Sequence, residues 1–96
     1  MKSQPKSKLH EWQNKAKDGV CTKCGQTRFL TVDHIIPVSW IVALCLKELA
    51  YEMEDNFQIL CKWCNAEKGN GIDVRNPKTF EVLEKIIIIA KNEVKV

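Results

Sequence analysis

Two Cys-x-x-Cys pairs, Cys21/Cys24 and Cys61/Cys64, constrain what this chain can fold into more than any other feature of it. Two residues between cysteines let both sulfurs turn toward one ion without strain. Two such knuckles supply the four thiolates of a closed tetrahedral Zn²⁺ site, with Zn–S distances of ~2.3 Å. With every coordination position taken by sulfur, such a zinc cannot activate water, and its role is structural. A chain of 96 residues lies near the low end at which a single apolar core suffices, and a structural zinc can add on the order of 10 kcal/mol to folding. The competing readings are a redox dithiol, which needs a thioredoxin-like parallel sheet that the pattern lacks, and four unligated core thiols. Cys45, the fifth cysteine, falls on an apolar helical stripe and reads as a small core hydrophobe.

Around the knuckles the chain reads as α+β. Leu9, Trp12 and Ala16 recur at helical spacing and Asp18-Gly19 supplies a stop, which predicts a helix over residues 7–18. Gly25 closes the first knuckle, where a positive φ is needed. Phe29 to Val32 favours a strand that carries Asp33 and His34 and runs on to Pro37, which ends it. Ser39 can cap a helix reaching about residue 55, with Val42, Cys45, Leu46, Leu49 and Met53 as its apolar stripe. Trp40, Ile41, Leu44 and Tyr51 lie off that stripe, so this helix is either buried on two sides or meets another chain. Residues 56–60 alternate as a second strand leading into Cys61. A helix beginning in the second knuckle carries Asn65, Glu67 and Lys68 and closes at Gly69-Asn70-Gly71. Asn76-Pro77 starts a last helix over about residues 77–92, with the stripe Phe80, Leu83, Ile86, Ile87 and Ala90.

Composition bounds the partners. With 45% apolar and 28% charged residues, the chain reads as one globular domain over residues 1–96. Residues 1–8 lack an apolar stretch, and the longest apolar run, 35–46, is interrupted by Pro37 and Ser39. A membrane span needs about 20 apolar residues, so the expectation is a soluble cytoplasmic protein, in which thiols stay reduced. The net charge of +3 is unevenly placed: residues 1–28 carry seven basic side chains against Glu11 and Asp18, and the remainder eight basic against ten acidic. A basic N-terminal third suits a phosphate-tracking surface, and it equally suits a solvated lysine-rich tail.

Between and beside the knuckles stand Asp33-His34, Asn56 and Asn65. The order Cys21-x-x-Cys24, Asp33-His34-Ile35-Ile36-Pro37, Asn56, Leu60-Cys61-x-x-Cys64-Asn65-x-x-Lys68 resembles the zinc-knuckle branch of the HNH endonucleases. The resemblance implies a ββα-metal fold, in which a strand pair and a helix grip one divalent cation and present it to a scissile phosphate. It makes His34 the general base, Asp33 and Asn65 the ligands of a catalytic cation, and Asn56 the residue that holds the loop and orients the His34 ring. It also implies DNA as substrate, 5′-phosphate products and the phage or restriction settings of this family. The third signature position is often histidine in the family and here is Asn65, which leaves the cation open between Mg²⁺, Mn²⁺ and others.

Elementary chemistry supports these roles. Hydrolysis of a phosphodiester needs a base that titrates near neutrality, which among side chains is histidine. It also needs positive charge opposite the phosphate, which a hard cation on carboxylate and amide oxygens supplies. Neighbouring strand residues point to opposite faces, so Asp33 and His34 can serve one phosphate only where the strand bends or ends. Lys68, Arg28 and Arg75 are candidates for phosphate contact, each with the alternative of a solvated surface charge, and His10 has no role. The different class of function is a zinc-ribbon module that grips nucleic acid or protein without cutting. A homodimer, or a larger protein partner seated on the apolar helix faces, completes the expectations.

Overall fold

The computed structural model describes residues 7–93. Helix α1 (Lys8–Ala16) begins where Ser7 accepts a hydrogen bond from the His10 amide at 3.2 Å, as an N-cap serine does. Strand β1 (Leu30–His34) pairs antiparallel with β2 (Phe57–Cys61), placing Asp33 opposite Gln58 and His34 opposite Phe57. Helix α4 (Lys62–Lys68) leaves β2 without a linker and ends at Gly69, whose φ of 61° stops it. This strand–strand–helix unit is the small ββα arrangement that the resemblance implied. Helix α1 packs on the face of the sheet that carries Phe57 and Ile59, with Trp12 edge-on to Phe57 at 5.6 Å. Helix α4 covers the other face, where Thr31, Asp33, Gln58 and Leu60 lie.

The strand predicted to run to Pro37 ends at His34. Beyond it the Asn56 side chain takes over as partner, accepting from the Ile36 amide at 2.7 Å and donating to the Ile36 carbonyl at 3.1 Å. Asn56 and Ile36 are both fully buried, so these bonds satisfy backbone groups that water cannot reach.

The single helix expected from Ser39 to about residue 55 is instead α2 (Val38–Ala43), α3 (Leu49–Glu52) and a 3₁₀ turn (Glu54–Asn56). Ser39 does not cap it: Pro37 occupies that position. The break is a left-handed C-cap. Cys45 takes φ 60°, its amide bonds the Val42 carbonyl at 2.9 Å, and the Leu46 amide reaches back to the Ile41 carbonyl at 3.0 Å. Leu46 and Ile41 then meet in the core, the apolar contact that accompanies this cap. Cys45 and Val42 are therefore exposed rather than core residues; of the expected stripe Leu46 is buried in the core and Leu49 and Met53 pack against it, while Ile41 and Ala50, not expected there, are buried.

Helix α5 (Lys78–Glu93) starts where Asn76 Oδ1 accepts from the Lys78 amide at 2.9 Å. It buries Val82 and Ile86 against Ile35, Ile36, Ile41 and Leu46, while Phe80 and Ile87, expected on its inner stripe, are exposed. A second, smaller core surrounds Cys21, Leu60, Cys61 and Cys64. No helix among the described residues is long and apolar enough to cross a membrane.

Candidate functional site

The four knuckle sulfurs lie within 4.8 Å of one another, and among the described residues they form the one group of three or more His, Cys, Asp or Glu side chains near enough to share an ion. A tetrahedron with metal–sulfur bonds of ~2.3 Å has edges of about 3.8 Å, and Cys24 Sγ stands 3.8 Å from Cys61 Sγ. The local backbone explains how the sulfurs converge. Gly25 at φ 79° closes the first knuckle, with its amide on the Cys21 carbonyl at 2.9 Å. Cys61 is the N-cap of α4, accepting from the Cys64 amide.

Electrostatics at the cluster favour a cation. Burial pushes the Cys64 thiol up to about 12, aided by hydrogen bonds with Cys61, Cys21 and Cys24. Burial also raises Cys21, but the backbone amides of Cys61, Cys24 and Lys23 together outweigh it and bring that thiol to about 6. The Cys64 amide is the main cause holding Cys61 low. The Cys21 and Cys61 thiolates are thus prepared by backbone donors while the Cys64 thiolate is suppressed by burial and by its neighbours, a conflict that a bound metal ion removes. The donor set, its spacing and its charge all fit a metal ion such as zinc.

The second centre is a cavity of about 350 Å³ lined by Asp33, His34, Pro37, Asn65, Lys68 and Asn70 among others. Asp33 and His34 reach it from opposite faces because β1 is an edge strand that stops at His34. The Asp33 carboxylate is buried; its Oδ2 accepts from Gln58 Nε2 at 2.9 Å and forms an ion pair with Lys68 Nζ at 3.2 Å. Asn65 donates its amide nitrogen to Thr31 Oγ1 at 2.9 Å, and that hydroxyl in turn donates to the Leu60 carbonyl at 2.9 Å. The nitrogen being committed, the oxygen is the end of the Asn65 amide left for a ligand.

The half-buried His34 ring lies 5.4 Å from the Phe57 ring, edge to face, and Nε2 is 2.7 Å from the Ala50 carbonyl. A carbonyl only accepts, so Nε2 carries the proton and Nδ1 is the basic nitrogen of the neutral ring. The ring is thus held by Ala50 and Phe57 and not by Asn56, whose side-chain bonds both go to Ile36. The loop-holding part of the role expected of Asn56 is what the geometry displays.

The three basic candidates separate. Lys68 is turned inward, its side chain only 6% exposed, with Nζ 2.8 Å from the His34 carbonyl; it does not face solvent as a phosphate contact on the flank would. Arg75 lines a larger groove of about 650 Å³ together with Lys23 and Lys78. Arg28 is exposed before the start of β1, at the end away from Asp33. The basic residues Lys2 and Lys6, part of the expected basic N-terminal third, lie outside the described residues.

Thr31, Gln58 and the Ala50 carbonyl were not found from the sequence. For Gln58 the only available signal was register, since a hairpin that places Asp33 on the second strand's face must also name its partner. A model of the family described as HNH endonuclease matches residues 21–71, just over half of the chain. No curated protein and no solved structure matches it.

Proposed function

The chain belongs to the HNH endonuclease family, and from that premise we propose that it hydrolyses DNA phosphodiester bonds, with His34 as general base and 5′-phosphate products. The observation that carries this reading is that Asp33, His34 and Asn65, brought from a strand end and a helix, line one cavity.

In this reading His34 Nδ1 takes the proton of the attacking water. Positive charge then develops on a ring whose Nε2–H is already bonded to the Ala50 carbonyl, a bond that strengthens as the ring charges. The Asp33 carboxylate and the Asn65 amide oxygen would hold a divalent cation. Such an ion, Mg²⁺ or Mn²⁺ being suited to oxygen donors, supplies the positive charge that the phosphate requires as it reacts. Asn56 keeps the bend after His34 in place through Ile36. The four-cysteine cluster is assigned to a structural Zn²⁺, which ties the start of α4, and so Asn65, to the first knuckle. Lys23, Arg75 and Lys78 in the larger groove support contact with the nucleic-acid backbone, and hence weak sequence preference and sensitivity to salt. Exposed Trp40 on α2 and Leu44 at its C-terminal cap, with Ile87 and Ile88 on α5, support a homodimer or a larger protein partner, which light scattering would register.

One observation favours the alternative of a non-catalytic zinc-ribbon module: His34 is packed on Phe57 with one ring nitrogen satisfied, as a structural histidine would be. Incubation of supercoiled plasmid with Mg²⁺ or Mn²⁺ separates the two. The parent protein should nick it and His34→Ala should lose at least about 100-fold in rate, within the range for removal of a general base. Equal activity in both proteins, or none in the parent, rejects the reading.

A further inference from the structure

Lys68 has a place that its expected role leaves unexplained. A lysine whose side chain is only 6% exposed is rare unless paired, and this one meets both halves of the Asp33-His34 pair, the carboxylate of one and the backbone carbonyl of the other. Both side-chain partners of the Asp33 carboxylate, the Gln58 amide donor and the Lys68 ammonium, fall on Oδ2. Oδ1 receives none among the described residues. Yet no buried side-chain oxygen or nitrogen among them is without a partner, so Oδ1 is reached by solvent.

We propose that Lys68 is a positioning residue that divides the Asp33 carboxylate, holding Oδ2 with its own ammonium and leaving Oδ1 as the one atom of that carboxylate that ligates the divalent cation. This rests on the assignment of Asp33 to a cation site. The division has two consequences. Asp33 binds through one oxygen and cannot chelate through both, so coordination positions remain for water and phosphate. The ammonium and the cation also sit on opposite oxygens of one carboxylate and repel each other. Even with water-like screening, that repulsion between a single and a double charge about 5 Å apart corresponds to roughly tenfold in affinity. Lys68 therefore weakens the hold on the cation while it fixes the geometry. A residue that merely braced the fold would do the opposite, because its loss would loosen the site.

The test is Mn²⁺ affinity, read by electron paramagnetic resonance on the zinc-loaded full chain, with Asp33→Asn as control. Lys68→Met should bind Mn²⁺ about tenfold more tightly than the parent while nicking plasmid more slowly at saturating Mn²⁺, and Lys68→Arg, which keeps the charge, should stay near the parent affinity. Should the methionine variant fail to fold, Lys68→Gln removes the charge while retaining a donor, and the same tightening is expected. An Asp33-dependent site in the parent that the uncharged variants leave unchanged or weaken overturns this proposal alone. A parent that binds no Mn²⁺, or binds it equally after Asp33→Asn, overturns the assignment of the site and this proposal with it.

Discussion

Replacing Asn56 is the sharpest probe of how the bend after His34 is held. Asn56→Ala removes both side-chain bonds to Ile36 and leaves an amide and a carbonyl in a residue with no exposure to water. Each stranded group costs about 1–3 kcal/mol, so the variant should lose roughly 3–5 kcal/mol once the small cavity is added. A domain of this length has on the order of 5–14 kcal/mol in total, so the loss is a large share of it. Asn56→Asp separates hydrogen bonding from packing. Aspartate has nearly the same shape and keeps an acceptor for the Ile36 amide, but it sets a second acceptor against the Ile36 carbonyl, where the amide nitrogen donated at 3.1 Å. At neutral pH it should therefore be about as harmful as alanine. The assay is urea unfolding of the parent and both variants at one fixed excess of Zn²⁺, since bound metal shifts apparent stability by mass action. An aspartate variant within about 0.5 kcal/mol of the parent, below the range for a lost buried hydrogen bond, would refute the two-bond clamp and leave only a space-filling role.

Two further outcomes follow from the geometry. Cys45 sits in the left-handed region at φ 60° and is exposed, so Cys45→Gly should stabilise the protein by roughly 0.5–1 kcal/mol through relief of that conformation; a loss of stability in the same urea assay would contradict the assignment of a left-handed cap. Metal binding at the knuckles should weaken as pH falls, more steeply below about 6, where Cys21 also gains a proton. The sign differs between thiols in the metal-free fold: Cys21, held below its ordinary 9, adds stability above pH 9 that is lost as pH falls through about 6, whereas Cys64, raised to about 12, adds stability below pH 9 that is lost as pH rises toward 12. Competition with a chromophoric chelator between pH 5 and 8 reads the binding part, and an affinity independent of pH across that range would exclude thiolate ligation.

The parts of the molecule that could be read from the sequence are those encoded by neighbours along the chain. The knuckle cysteines, the Asn76 cap and the glycines at 25 and 69 each act within a few residues of themselves, and each is found where local chemistry puts it. The break after Ala43 was not legible because its left-handed residue is a cysteine instead of the usual glycine, and what secures it is the burial of Leu46 against Ile41. That is a tertiary reward with no local signature. The same holds at the cavity. Asp33, His34 and Asn65 announce themselves by type and order, but the groups that aim them, Gln58, Thr31 and the Ala50 carbonyl, depend on strand register and on how α3 packs. Lys68 could be placed one helical turn beyond Asn65, yet only the packing of α4 on β1 decides that its ammonium turns inward.

The claim on which the account depends is that one cation is shared by Asp33 and Asn65 beside His34. Anomalous scattering from crystals of the zinc-loaded protein soaked in Mn²⁺ measures this directly. A manganese peak is expected within bonding distance of Asp33 Oδ1 and the Asn65 amide oxygen, separate from the zinc peak among the four sulfurs. A manganese peak elsewhere, or none in a crystal whose cavity is open to solvent, would contradict it.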